Sequence, residues 1–589
     1  MENFKNIICY LGFYKQHQCR ITISTFLVAI LALGESIAQD VKNTPAMYSS
    51  EPQLLQEGQL LFEKNCSSCH NFSQRSIGPG LQYTTSTLSK KWLSEFIMDA
   101  PKVITSGDAR AAKLYSEYNQ MMPSFSWLDS TQVEAILAFM SKRQKSFAIQ
   151  KELTSASIKD PIPEKVTLLE ERLHLQYHST APRTDTKAAW ARLNKMDKLK
   201  GDPERQFIVD QRGVLYEIKG KDWYVALNIE SLKPNFVSSP GMGTGFGSFA
   251  FHPNFNKNGL LYTTHAESNS SLKGDLTLAD SIKVGLQWVL TEWKIKDSSK
   301  LPFVGEEREV LRIDLLTTSH GVQEITFNPF KEDWEEDYGL LYICVGDGGS
   351  TEKKGYYQLC ADNTGVSGSI LRIDPMGRNS KNGRYGIPKS NPYLGSQNTK
   401  VFQEIFCLGF RNPNRISWTP GGAMLINDIG QSNIEEINLG IAGADYGWPY
   451  REGRFLVDPK GDINEVYKLP NDEEKGRYTY PILEYDHDEG NAISGGFVYN
   501  GLLVPALKNK YVFSDITNGR VFLLEMEELL LGEKGAMKEI EILVDGEQTT
   551  FQDIVGTAKP DSRLGLGIDG ELYFFTKADG RLYKVVGFD

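Results

Sequence analysis

Gly339-Leu-Leu-Tyr-Ile-Cys-Val345 is the phrase on which the fold turns. A glycine opens it, aliphatic and aromatic residues fill it, and Gly346-Asp-Gly-Gly349 closes it. That is the composition of a short strand between two turns. The same phrase returns as Gly213-Val-Leu-Tyr-Glu-Ile218, Gly259-Leu-Leu-Tyr-Thr263, Lys510-Tyr-Val-Phe513 and Gly570-Glu-Leu-Tyr-Phe-Phe575. The spacing between copies is irregular. Repetition of one short-strand unit over residues 166–589 predicts a mainly β region, a β-propeller with long inter-strand loops. A pair of sandwiches uses the same vocabulary and is the alternative.

Upstream of Val166 the texture changes. The stretch 146–165 is polar with two prolines, Pro161 and Pro163, and reads as a linker. As a flexible coil its mean span is roughly 25 Å. Residues 51–145 carry a helical pattern: Leu54, Leu55, Leu60, Leu61 and Phe62 recur at helical spacing. Asp129-Ser130 can cap a helix from Thr131 to Lys142 with Val133, Ile136, Leu137 and Phe139 on its buried side. At the start, Lys5, Lys15 and Arg20 precede the apolar run Ile21 to Gly34, and Ser36-Ile37-Ala38 supplies small residues for cleavage. Residues 1–38 therefore read as an export signal, with a retained N-terminal anchor as the alternative. Export predicts a periplasmic or extracellular protein. The formal net charge of −11 and the lack of any Lys/Arg block argue against a nucleic-acid partner.

Cys66-Ser67-Ser68-Cys69-His70 fits C-x-x-C-H, the attachment signal of c-type haem. The two thiols add across the haem vinyl groups, and His70 is then held against the iron. A zinc or redox CxxC is the competing reading, but the adjacent histidine and the absence of a second CxxC oppose it. Met121-Met122-Pro123 follows some fifty residues later and offers a thioether, a ligand that favours ferrous iron. With Gly78-Pro79-Gly80 between the two motifs, residues 53–143 resemble class I cytochromes c. In that family the methionine before proline binds iron, which implies Met122 rather than Met121. Of the seven cysteines, Cys344, Cys360 and Cys407 are left, enough for one disulfide at most.

The β region resembles the soluble quinoprotein glucose/sorbosone dehydrogenases through a series of phrases in one order. They are Gly245-Phe-Gly-Ser-Phe-Ala-Phe-His-Pro-Asn-Phe255; His320 before Val345-Gly-Asp-Gly-Gly349; Ile370-Leu-Arg-Ile-Asp-Pro375; Leu408-Gly-Phe-Arg-Asn-Pro413; Asp428-Ile-Gly-Gln431 before Glu435-Glu-Ile-Asn-Leu439; and Ala444-Asp-Tyr-Gly-Trp-Pro449. The resemblance implies a six-bladed propeller that uses pyrroloquinoline quinone (PQQ) and Ca²⁺. It implies His320 as general base, Arg411 and Asn412 beside the quinone, and Arg563 on a PQQ carboxylate. It implies Gly430 and Gln431 as backbone ligands of the PQQ-associated Ca²⁺, and Glu436 and Tyr446 at a second calcium. His252 reads as structural, and His487 is left open. Three positions depart from the family. The usual glutamine is missing around Met242-Gly243-Thr244-Gly245, Gly321-Val322-Gln323-Glu324 replaces a glycine-rich stretch, and no basic residue stands at Thr517-Asn518.

Taken together these readings imply a small all-α cytochrome c domain before a propeller. The expected activity is an exported haem–quinoprotein dehydrogenase. A small-molecule sugar or related alcohol gives hydride to PQQ, and electrons pass to haem c. From there they go to a downstream acceptor, such as a soluble cytochrome or a respiratory chain. The rival is a cytochrome fused to a propeller that binds carbohydrate or protein without catalysis.

Overall fold

In a computed structural model of the chain, the described residues are 48–49, 51–66, 70, 78–79, 81, 84–118, 121–142, 156–202, 204–241, 243–269, 272–353, 355–396, 398, 400–469, 477–531 and 537–589. The export-signal reading, Cys69, Gly80 and Met242 lie outside them. None of the helices among the described residues is long and apolar enough to cross a membrane.

The N-terminal part is helical, as the periodicity predicts. Helix Pro52–Asn65 starts on a proline, whose fixed φ suits the first turn and whose missing N–H is not needed there. Helix Ser130–Lys142 starts on a reciprocal cap: Asp129 Oδ1 accepts from the Gln132 amide at 2.9 Å, and Gln132 Oε1 accepts from the Asp129 amide at 3.1 Å. These two helices pack at Gly58, where a Cβ would stand 1.9 Å from the Ala135 carbonyl oxygen. Only glycine permits that approach. Phe62 and Phe139 meet beside it at 5.5 Å between ring centroids. Val133, Ile136, Leu137 and Phe139 are buried, each contributing roughly 1.5–3 kcal/mol.

From residue 167 onward the chain is mainly β. The five quoted phrases form strands Leu341–Val345, Val214–Lys219, Leu260–Glu267, Lys510–Asp515 and Leu572–Thr576. Four antiparallel four-stranded sheets follow one another along the chain, beginning with strands Leu193–Lys198, Phe246–Phe251, Glu324–Phe327 and Pro413–Trp418. A small three-stranded sheet (Arg451–Glu452, Phe455–Val457 and Val466–Tyr467) and a nine-stranded sheet hold the rest. Within the nine-stranded sheet, Thr167–Thr180 pairs antiparallel with the last strand, Arg581–Phe588, and parallel with Lys538–Val544. The start of the β region is thus stitched to its end. The four first strands, with Ile493–Val498 and Ser562–Leu566, each touch the next, and the last touches the first. Their ends surround the site described below.

Residues 158–166 do not run free. Ile158 bridges to Val466, the Ile162 amide donates to Asp486 Oδ2 at 3.1 Å, Lys165 pairs with Asp488, and the Val166 amide donates to Glu489 Oε1 at 3.1 Å. The second half of the expected linker is therefore part of the β region. Tyr48–Asp589 forms one compact unit. Cys344, Cys360 and Cys407 are buried free thiols, and Cys344 serves as a small apolar strand residue.

Candidate active site and haem crevice

His320 carries the strongest local signal. It is a buried non-glycine residue with φ of +46°, a conformation that costs of order 1–3 kcal/mol and that recurs where function demands it. Its backbone is clamped by two glycines. A Cβ on Gly346 would lie 2.3 Å from the His320 carbonyl oxygen, and one on Gly243 would lie 2.7 Å from its amide nitrogen. The ring Nδ1 faces Asp347 Oδ1 at 2.6 Å. Asp347 also accepts from the Gly349 amide at 2.9 Å, the Thr351 hydroxyl at 2.8 Å and Trp448 Nε1 at 3.3 Å. Burial works against the Asp347 charge, but the His320 ring, the Arg411 guanidinium and the Thr351 hydroxyl outweigh it and hold the carboxyl at about 2. An ionised Asp347 places the imidazole proton on Nδ1 and leaves Nε2 as the basic nitrogen.

Arg411 and Asn412 sit on the next loop. The Arg411 carbonyl accepts from the Asp347 amide at 2.7 Å, which ties this loop to the His–Asp pair. Asp428 receives both loop amides, from Arg411 at 3.0 Å and Asn412 at 2.7 Å. Burial pushes the Asp428 carboxyl up to about 7 despite those bonds. Arg411 Nε donates to Gln431 Oε1 at 2.7 Å, and Gln431 Nε2 donates to Asn464 Oδ1 at 3.1 Å. The amides of Gln431, Ser432, Asn433 and Ile434 all donate to Glu452 Oε1, at 2.7–3.0 Å. Glu452 thus sits in a nest of amides. In the Gly430-Gln431 turn only backbone carbonyls are left for a cation, since the Gln431 side chain is spent on Arg411 and Asn464.

Beside the 241–245 loop lies a group of which sequence reading named only Arg563. Arg563 and Lys577 share Asp561 as counter-ion, and Arg192 lies near enough to act on Lys577. Arg563 Nε lies 3.5 Å and Lys577 Nζ 3.6 Å from Asp561 Oδ1. Arg563 Nε and Nη1 and Arg192 Nε are buried without a hydrogen-bond partner. Lys577 Nζ donates to Gln211 Oε1 at 3.0 Å. Burial, reinforced by Arg563, lowers Lys577 to about 7. The glycine loop joins this group to the base: a Cβ on Gly241 would meet Arg192, one on Gly243 would meet Ser319 and His320, and one on Gly245 would meet Gln211. At Thr517-Asn518 the amides and the Thr517 hydroxyl donate to Asp515, and Arg520 nearby is spent on Glu489 and Glu539. No local motif marks Lys577 or Arg192.

Other expected residues fare differently. The Tyr446 hydroxyl donates to the Leu439 carbonyl and accepts from the Ile441 amide at 3.1 Å, while its ring stacks on Phe410 at 4.5 Å. As a side-chain calcium ligand Tyr446 is unavailable, because its oxygen is already used in the turn. Glu436 accepts from Asn438 Nδ2 at 2.9 Å and from the Gly453 amide, and it faces Asp428 across the strand pair. Burial first, then Asp428, pushes the Glu436 carboxyl well up. His252 is structural: its Nδ1 accepts from the Asn254 amide at 3.0 Å and bonds Asn258 Nδ2 at 2.8 Å. His487 is partnered by Glu435 at 2.9 Å.

In the helical part, Cys66, His70, Gly78, Pro79, Met121, Met122, Phe96 and Phe125 line a crevice of about 900 Å³ of empty space, including what opens to solvent. His70 Nδ1 bonds the Pro79 carbonyl oxygen at 2.9 Å, which puts the proton on Nδ1 and leaves Nε2 for a metal. A Cβ on Gly78 would come within 2.3 Å of the His70 ring, so glycine is required for the ring to sit there. An apolar slot with an oriented imidazole and thioethers fits haem c. Both methionines line it.

The Glucose / Sorbosone dehydrogenase family model matches residues 196–584, more than half of the chain, and the chain belongs to that family. The Cytochrome c family model matches residues 55–144. Among curated relatives, the chain is 28% identical over 358 residues to HIPL2 protein of Arabidopsis thaliana, covering 53% of this chain and 49% of that one. It is 27% identical over 364 residues to the Hedgehog-interacting protein of Homo sapiens, covering 58% of this chain and 43% of that one. It is 26% identical over 289 residues to Quinoprotein glucose dehydrogenase B of Acinetobacter calcoaceticus, covering 45% of this chain and 52% of that one. The chain spans about half the length of the curated relatives it matches.

Proposed function

We propose that the chain is an exported haem c-containing quinoprotein dehydrogenase that oxidises a sugar or a related alcohol. The observation that carries this reading is the buried, backbone-strained His320 on an ionised Asp347, joined by one glycine loop to Arg192 and Arg563, whose guanidinium groups keep buried nitrogens without a hydrogen-bond partner. The ring of first strands supports a six-bladed propeller with this site at its centre. The run Ile21–Gly34 behind Lys5, Lys15 and Arg20 supports export.

PQQ, when bound, supplies a hydride acceptor. Its carboxylates suit Arg563, Arg192 and Lys577, and Arg411 and Asn412 suit its quinone side. The carbonyls of Gly430 and Gln431 are the oxygens this chain can offer Ca²⁺, and hard cations take such donors. His320 Nε2 takes the substrate hydroxyl proton as hydride leaves the same carbon, a role for a neutral imidazole near pH 7. Asp347 keeps the ring in the required tautomer and stabilises the imidazolium. Arg411 faces developing negative charge with a guanidinium already fixed by Gln431 and Ile429. Haem c, held by Cys66, Cys69, His70 and Met122, supplies a one-electron acceptor for a downstream carrier.

The test is reconstitution of haem-loaded protein with PQQ and Ca²⁺, assayed with a dye acceptor against a panel of aldoses and alcohols. Substrate-dependent dye reduction that is lost in His320→Asn is expected. Tight binding of a carbohydrate or protein without any dye reduction would favour the second reading, a non-catalytic binding propeller. That reading draws on the Hedgehog-interacting relative and on the missing glutamine near Gly243.

A further inference from the structure

The haem crevice has one wall that does not come from the helical part. Lys559, from the loop ahead of strand Ser562–Leu566, lines it together with His70, Tyr115, Tyr118 and Met122. Two residues on is Asp561, and four residues on is Arg563. Lys559 is close enough to both Asp561 and Lys577 to influence their ionisation. One side chain therefore borders the haem slot on one side and the buried cations of the candidate quinone site on the other. A second contact holds the same two parts together: Lys187 Nζ lies 4.2 Å over the Trp127 ring, a cation–π distance. Trp127 lies on the loop between the methionine pair and the last helix. The two contact points belong to one patch of the β region. The Trp190 amide donates to the Ala578 carbonyl, and the Lys577 and Ala578 amides donate to the Asp561 and Pro560 carbonyls. Arg212 ties in the rest, donating to Asp185 and to the Ala189 carbonyl.

We propose that the patch formed by Lys187 and Lys559 is the docking surface for the haem edge. On this surface Lys559 closes the open side of the crevice, and the haem faces the loop that carries Asp561 and Arg563. The proposal rests on the haem reading and deepens the proposed function by naming where electrons leave the propeller. The chemistry suits the occupant. Haem carries propionate carboxylates, and an ammonium beside them is attracted to them. It also lowers the free energy of the reduced, less positive iron and so raises the midpoint potential. Attraction between these ammonium groups and the propionates is weakened by salt.

The experiment uses the full haem-loaded chain, with Lys187→Glu and Lys559→Glu made singly and together, and Lys559→Arg as the conservative control. Three readouts are taken: haem midpoint potential, hydrogen exchange of segments 121–128 and 557–561, and the rate of haem reduction by substrate alongside dye reduction. Lys559→Glu should lower the midpoint potential, and the double variant should raise exchange in both segments. At saturating PQQ the double variant should slow haem reduction at least about tenfold relative to its own dye reduction, and Lys559→Arg should behave like the parent. Unchanged potential and unchanged exchange in the double variant would overturn the docking surface. If the parent shows no dye reduction, the dehydrogenase reading fails, but potential and exchange still decide the docking.

Discussion

Replacing Asp347 by Asn tests the site at its most constrained point. The carboxylate accepts four hydrogen bonds, from His320 Nδ1, the Gly349 amide, the Thr351 hydroxyl and Trp448 Nε1. An amide has one oxygen to offer. With that oxygen toward His320 and Gly349, its NH₂ meets the Thr351 hydroxyl, which can accept, and the Trp448 N–H, which cannot. The opposite rotamer sets NH₂ against two donors and forces the imidazole into its other tautomer. The ionised carboxyl contributes stability in proportion to the gap between its ordinary 3.8 and about 2. That gap is about 2 kcal/mol for a group with no solvent to screen it. The folded pKa is depressed, so this contribution is complete above about pH 4 and is lost as the pH falls toward 2. Urea unfolding should therefore show Asp347→Asn about 2 kcal/mol less stable than the parent at pH 7, with the difference narrowing at pH 3. Dye-linked turnover in reconstituted protein should drop roughly a hundred- to ten-thousand-fold, because the base loses its tautomer and its orientation. A variant within about 0.5 kcal/mol of the parent, with turnover within about threefold, would refute the reasoning.

Three further outcomes follow from the geometry. Met122→Ala should abolish the long-wavelength sulfur-to-iron band of the ferric protein and lower the haem midpoint potential, whereas Met121→Ala should leave both nearly unchanged; the opposite result reassigns the ligand. Lys577→Met should weaken PQQ binding by roughly tenfold, the loss of one charge-assisted contact. In the parent that affinity should fall as pH rises through about 7, where burial leaves Lys577 uncharged, and the variant should lack that step; a parent whose affinity is flat from pH 6 to 8 would count against the cationic cradle. Gly58→Val should destabilise the haem segment by about 1–3 kcal/mol, since its Cβ would overlap the Ala135 carbonyl. The urea concentration at which the methionine–iron band disappears measures that loss.

What the sequence by itself determines here is local. Strands such as Leu341–Val345 and Leu572–Thr576 are legible because apolar runs between glycine turns have few other ways to bury their side chains. The helix Ser130–Lys142 is legible from its cap and its period, and the haem attachment from five adjacent residues. His320, Arg411 and Asn412 are singled out because the ordered phrases around them resemble those of the glucose/sorbosone dehydrogenases. Asp347 stands in such a phrase too, yet its bond to His320 depends on a backbone conformation with positive φ that no residue type announces. Lys577, Arg192 and Gln211 are invisible along the chain. Lys577 is separated from the other two by hundreds of residues and meets them only because the last strands return to pair with the first. The Tyr446 hydroxyl bonds its own turn, a choice that depends on where the Leu439 carbonyl falls. Buried charge makes the same point. A lysine sequence is read at its ordinary pKa, and only the closed ring, by stripping water from Lys577 and setting Arg563 beside it, turns that lysine into a group that titrates near neutral pH.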